Sequence, residues 1–251
     1  MRFVSAAVLS LIPCLAQTVE PLDQWSLHSV VQIQADLHHV QGIDVEGDRL
    51  WISSVNAKAG KGYLSLVSLP SGRVVAQVEV QEGKRIHPGG ITLDGASIWI
   101  PVAEYDRDGP SSIQRRDKNS LTLESSFEVS DHIGSIAAGP TGLIGGNWDS
   151  RLIYAWSRDG REQWRKESPY KTAWQDLKMD GDRLVGSGNV SRDVGAIETV
   201  SLPDLRLIHL IKTGKTDRGV TYTHEGMTLR GGRLYLLPED APTRLFEFRR
   251  R

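Results

Sequence analysis

His39-Val40-Gln41-Gly42-Ile43-Asp44-Val45-Glu46-Gly47-Asp48-Arg49-Leu50-Trp51-Ile52 reads as a short strand, a Gly-Asp turn and a second strand. The same pattern returns four more times. Its openings are Gln41-Gly42-Ile43, Gly89-Gly90-Ile91, Gly134-Ser135-Ile136, Gln175-Asp176-Leu177 and Glu225-Gly226-Met227, and eight positions after each middle residue a second strand begins at Leu50, Ile98, Leu143, Leu184 and Leu234. The turns between them have the Gly and Asp content that tight hairpins require. Third and fourth strands follow, such as Tyr63 to Val67 and Val74 to Val80 in the first repeat, or Ala196 to Leu202 and Arg206 to Ile211 in the fourth. Four strands in a repeat of roughly 40 to 50 residues is the signature of a β-propeller. The chain is therefore expected to be all-β, a five-bladed propeller with four-stranded blades.

The fifth repeat ends after a third strand, Arg244 to Phe248, so one outer strand is missing. Working outward to the other end, Ser29 to Leu37 alternates with Val31, Ile33, Ala35 and Leu37 on one face and belongs to no repeat. This N-terminal strand is expected to close the last blade, removing a pair of open sheet edges. A β-sandwich or β-helix would leave both the orphan strand and the fixed offset unexplained.

Before that strand, Arg2 precedes an apolar run from Phe3 to Ala16, and the polar stretch from Gln17 follows. The run is too short for a membrane span, which needs roughly 20 residues. Small residues at Cys14-Leu15-Ala16 suit a leader peptidase. Residues 1–16 are read as a signal peptide, residues 17–251 as a single propeller domain, and the protein as exported, periplasmic or secreted. A lipoprotein with acylated Cys14 is the other reading of that segment, and Pro13 stands against it. Cys14 is the single cysteine, so the mature chain holds no disulfide and no thiolate metal site. Lys and Arg number 30 against 31 acidic residues, a balance that does not suit nucleic acid. No later segment spans a bilayer, and a monomer is expected.

In a propeller the innermost strands begin around one mouth of a central channel, so equivalent positions become neighbours. Three positions before each middle residue stand His39, His87, His132, Ala173 and Thr223, and one position before it Gln41, Gly89, Gly134, Gln175 and Glu225, with His224 alongside. His39, His87, His132 and Glu225 are candidate ligands for a divalent metal, since neutral imidazoles with a carboxylate suit zinc. The same histidines also suit hydrogen-bonded ties between blades, or direct contact with a ligand. Fourteen positions after each middle residue come Asn56, Glu104, Asp149, Val190 and Asp240, with Asn147, Asn189 and Glu239 nearby. Hairpin geometry returns this set to the histidine mouth, although Asn and Asp also cap ordinary strand ends. Trp148 and Trp174 are candidate ligand contacts, whereas Trp51 and Trp99 share one second-strand position and suit packing between blades. Asp106-Arg107-Asp108-Gly109 opens like a calcium loop but lacks the later glutamate, so it reads as an acidic turn.

His39-Val40-Gln41-Gly42-Ile43 and His224-Glu225-Gly226-Met227 resemble the strings of an uncharacterised bacterial family of exported propellers. The architecture is also similar to plant-type glutamine cyclotransferases, five-bladed and exported, whose first blade has a Gln-Gly opening and then a second strand with a catalytic acid. The matching strand here, Leu50-Trp51-Ile52-Ser53-Ser54, has none. A looser resemblance joins Glu225-Gly226 to gluconolactonase-like propellers, six-bladed, in which a Glu-Gly helps to hold a divalent cation. The expected function is a module that binds a small molecule or peptide at one channel mouth, or acts as a scaffold. The alternative is a metal-dependent hydrolase or lactonase with Asp240 or Glu104 as the base.

Overall fold

The computed structural model describes residues 18–251, so the proposed leader, with Cys14, lies outside the described residues. After β1 (Thr18–Pro21) and β2 (Trp25–Gln32), five antiparallel sheets follow in chain order. Blade one is β3 (His39–Glu46), β4 (Arg49–Asn56), β5 (Lys61–Ser68) and β6 (Arg73–Glu79). Blade two has a broken inner strand, β7 (Arg85–Pro88) and β8 (Thr92–Asp94), then β9 (Ser97–Glu104), β10 (Ser111–Asp117) and β11 (Leu123–Val129). Blade three is β12 (Ile133–Gly139), β13 (Gly142–Asn147), β14 (Leu152–Trp156) and β15 (Glu162–Glu167). Blade four is β16 (Ala173–Asp180), β17 (Arg183–Asn189), β18 (Gly195–Ser201) and β19 (Leu207–Thr213). Blade five is β20 (Glu225–Arg230), β21 (Arg233–Pro238) and β22 (Arg244–Arg250), completed by β2. The five-bladed propeller with four-stranded blades is thus the observed fold. Among the described residues no helix is long and apolar enough to cross a membrane.

The closing strand is β2, antiparallel to β22 from Trp25 opposite Arg250 to Gln32 opposite Arg244. It therefore lies about four residues earlier in the chain than the alternation over Ser29 to Leu37 suggests. That alternation begins in β2 with Val31 and, beyond Gln32, records burial outside a strand. After Gln32 the chain crosses to blade one, with the Ile33 amide donating to the Thr243 carbonyl and the Gln34 amide to that of Gly72. Ile33 and Leu37 are buried, and Val31 and Ala35 pack beside them, in the core between blades five and one. A second addition, β1, joins β19 in parallel as an outer fifth strand of blade four.

The core is divided among the five seams. Tyr235, Leu237 and Leu245 meet Ile43, Leu50 and Ile52 between blades five and one. Trp51 and Leu64 meet Ile91 and Ile98 across the next seam, and Trp99 and Ile113 meet Ile136 and Trp156 across the third. Ile144 and Ile153 meet Trp174 and Leu177, and Val185 and Ile197 meet Met227 and Phe246, at the last two. Each blade buries both faces against neighbours, which is why its inner strands carry apolar residues on both sides. Trp51 and Trp99 are interblade packing residues, each fully buried, with indole N–H groups donating to the Lys118 carbonyl and the Asp94 carboxylate.

At the axis the inner strands touch. A Cβ on Gly42 would lie 2.4 Å from the Gly90 Cα, and one on Gly89 would lie 2.0 Å from the Gly134 carbonyl oxygen. The Gly90 amide donates to that same carbonyl at 2.8 Å. Only glycine permits such an approach. Between the other blades the buried Asp176 and Lys178 fill the channel: Asp176 Oδ2 accepts from the amides of Ile43 and Met227, and Lys178 Nζ donates to the Ile91 carbonyl and to Asp176 Oδ1. The channel has a floor, and what lies above it is a cup.

Candidate functional site

The cup opens where the inner strands begin. It is a cavity of about 150 Å³ whose walls come from all five blades: His39 and Gln41, His87 and Tyr105, His132 with Asn147 to Asp149, Trp174 and Gln175, and Glu225. The fixed offset that revealed the repeat therefore also assembles this ring, because equivalent residues of successive blades sit at equal height.

One wall is aromatic. The His87 ring lies 4.5 Å from that of Tyr105 and 5.1 Å from that of His132, and the His132 ring lies 4.6 Å from that of Trp148. His132 Nδ1 is 2.8 Å from the carbonyl oxygen of Asp106, which can only accept, so Nδ1 carries the hydrogen. Its Nε2 is then an acceptor, 3.2 Å from His87 Nδ1, which donates. The chain of bonds leaves His87 Nε2 with a lone pair and no protein partner among the described residues. Burial, then the neighbouring His132 and His39, pushes His87 down to about 3. Burial also lowers His132, against the backbone carbonyls of Asp106 and Glu104. Both imidazoles are neutral at pH 7.

The acidic turn at Asp106 acquires a role here. Its Asp108 amide donates to the Asp106 side chain and its Gly109 amide to the Asp106 carbonyl, which fixes the oxygen that orients His132.

The opposite wall is charged. His39 Nδ1 stands 2.9 Å from Glu239 Oε1, and His224 Nε2 stands 3.1 Å from Glu225 Oε1. The His39 contact lies off the axis of a hydrogen bond, so by angle its buried nitrogen has no hydrogen-bond partner although the distance is that of an ion pair. Glu239 beside it raises the His39 pKa above its ordinary value, with burial opposing and Glu225 assisting. Glu225 does the same for His224. One ligand atom from each of His39, Glu225 and Glu239 lies within 4.8 Å of the others.

The candidate metal set of His39, His87, His132 and Glu225 is thus divided. His87 and His132 are bonded to one another, while His39 and Glu225 gather with Glu239. The second layer separates further. Asp149 lines the cup, but Asp240, buried, is held by Arg218 and Arg244, which leaves it no part as a base. Asn56 is at the correct end of β4 but bonds to His38 and the Ala59 amide at the surface. Glu104 reaches the site only through its backbone. His224 sits behind Glu225. Tyr105, which follows β9 outside the repeated positions, lines the cup without any signal in the repeat. Ser53, which with Ile52 lies in the strand where the cyclotransferase resemblance calls for an acid, is buried and consumed structurally, between the Gly42 amide and the Gly89 carbonyl.

Residues 7–240 match a family of unknown function, DUF6454. The chain belongs to that family. No curated protein sequence matches this DUF6454 chain. Among solved structures, the crystal structure of Myxococcus xanthus glutaminyl cyclase is similar to it, with a TM-score of 0.70 and 13% sequence identity, covering 93% of this chain and 98% of the cyclase. At that identity the likeness is one of fold.

Proposed function

We propose that this DUF6454 propeller binds a small molecule or the amino-terminal end of a peptide in the cup at its channel mouth. The observation that carries the reading is a cavity walled by all five blades and closed below by Asp176 and Lys178. Its polar lining is rich in acceptors. His87 Nε2, the carboxylates of Glu225 and Asp149 and the side-chain carbonyls of Gln41 and Gln175 favour a ligand that donates, such as an amine or amide. Trp148 and Tyr105 supply flat apolar surface, which also attracts a cation, whereas the buried Trp174 ring packs in the seam between blades three and four. The reading includes export, on the leader-like residues 1–16, and action as a monomer.

The similar fold of a glutaminyl cyclase makes a peptide with amino-terminal glutamine a sensible probe. The chain, expressed with its leader, is recovered from the exported fraction, sequenced from its new amino terminus (expected at Gln17), and titrated with that peptide while tryptophan fluorescence is followed. Saturable quenching is expected, at least about tenfold weaker for Glu225→Gln and for the N-acetylated peptide, since a lost charged hydrogen bond costs about 1.5 to 3 kcal/mol. Binding that ignores both changes, or no saturable signal with this or a small-amine panel, would sink the reading. A mass loss of ammonia from the peptide would convert the binding module into an enzyme, a reading that the structural use of Ser53 disfavours.

A further inference from the structure

We propose that His39, Glu225 and Glu239 form a binding site for one divalent transition metal of the zinc type, on the charged wall of the cup. The three residues come from three separate places, the start of β3, the start of β20 and the turn after β21, and still bring one ligand atom each within 4.8 Å of the others. Ligand bonds of about 2.0 to 2.2 Å hold donor atoms within about 4.4 Å of one another. Tetrahedral bonds of that length set donor atoms about 3.3 to 3.6 Å apart, so separations of up to 4.8 Å close with side-chain movement of at most about 1.5 Å.

Two further observations point at a cation. Glu225 is only 3% exposed, and the partner it has is an imidazole, with no lysine or arginine bonded to it among the described residues. Buried carboxylates are otherwise paired or metal-bound. His39 Nδ1 is also buried and lacks a hydrogen bond along its own axis, while facing the Glu239 carboxylate at 2.9 Å. A nitrogen with two carboxylates suits zinc or a neighbouring transition metal, and the nitrogen counts against calcium and magnesium, which take oxygen. His87 and His132 are already bonded to each other and stand outside the set. Three protein ligands leave a coordination position open, as in catalytic zinc sites, and His39 and Glu225 both line the cup. A metal here would face the ligand. The competing arrangement is two imidazole–carboxylate pairs, His39 with Glu239 and His224 with Glu225, satisfying one another without an ion.

The full mature chain, carrying no histidine tag, is stripped with chelator and titrated with zinc alone by calorimetry and with cobalt(II) by visible absorption. One ion per chain is expected, with cobalt bands that report nitrogen and oxygen ligands. Glu239→Gln and His39→Gln should each weaken binding at least about tenfold, while His28→Gln, on the exposed face of β2, should leave it unchanged. Glu239 is exposed, so its variant remains informative if His39→Gln does not fold. Absence of saturable one-to-one binding overturns the proposal, as does binding that both variants retain. No organic ligand is present in this titration, so its failure leaves the binding reading of the cup intact.

Discussion

His87 gives up its proton readily because burial and two neighbouring imidazoles penalise a charge on its ring. Burial, then His132 at hydrogen-bond distance and His39 across the cup, hold it near 3. An unfolded histidine titrates near 6.5. Between those values the unfolded chain binds a proton that the folded chain refuses, so stability falls as pH is lowered from about 6.5 towards 3 and is fully present above 6.5. The expected result is that His87→Asn shows a shallower fall over that window than the parent when urea unfolding is followed at several pH values. The His87 ring proton resonances should stay still down to about pH 5. A midpoint near 6.5 in those resonances would show an exposed ring and remove the neutral acceptor from the cup. At this scale much was legible: the offset that aligns His39, His87 and His132 follows from the repeat itself. What the repeat could not give was the pairing of His87 with His132, because that is set by the Asp106 carbonyl, a backbone atom of a turn outside the repeated positions.

Elements meet at the axis through glycine. The broken inner strand of blade two passes so close to β12 that Gly89 would drive a Cβ to 2.0 Å from the Gly134 carbonyl oxygen, a backbone atom that cannot rotate away. Gly89→Ala is therefore expected to cost more than the 1 to 3 kcal/mol or so of ordinary overpacking, whereas Gly95→Ala, with open space around it at φ 62°, should cost about 1 kcal/mol through backbone strain alone. Urea denaturation of both variants measures the difference, and equal losses would mean that the inner strands can part without penalty. The glycines at these openings could be read as features of a repeat, but the contact that demands them joins residues 45 positions apart. Strand ends were harder. The alternation continues past β2 because Ile33, Ala35 and Leu37 pack in a seam rather than pair in a sheet, and β1, four residues at the edge of blade four, is held by a parallel pairing with β19 that no local pattern announces.

The ring as a whole is closed twice, at its rim by β2 on β22 and at its centre by side chains. Asp176 of blade four accepts from blades one and five, Lys178 reaches blade two, and Asp44 of blade one accepts from the Leu93 amide of blade two and the Thr228 hydroxyl of blade five. Five seams of apolar contact hold neighbours together, whereas the bonds of Asp176 to the Ile43 amide and of Lys178 to the Ile91 carbonyl join blade four to blades one and two, which are not its neighbours. Burial drives the Asp176 carboxyl up to about 6 even with Lys178 beside it, so at pH 8 the carboxyl is ionised and accepts from Lys178 Nζ at 2.6 Å. Removing one member then strands the other in the buried centre of the ring. Asp176→Asn leaves Lys178 Nζ buried without its carboxylate and should cost about 3 to 5 kcal/mol. Lys178→Met should cost less, because three backbone amides still donate to Asp176. The double variant buries no charge, so at pH 8 it should unfold with a loss smaller than the sum of the two by about 1 to 3 kcal/mol. Additive losses in that cycle would mean that the two residues act independently, and the closed floor of the cup would then rest on the glycine contacts and on Asp44 instead.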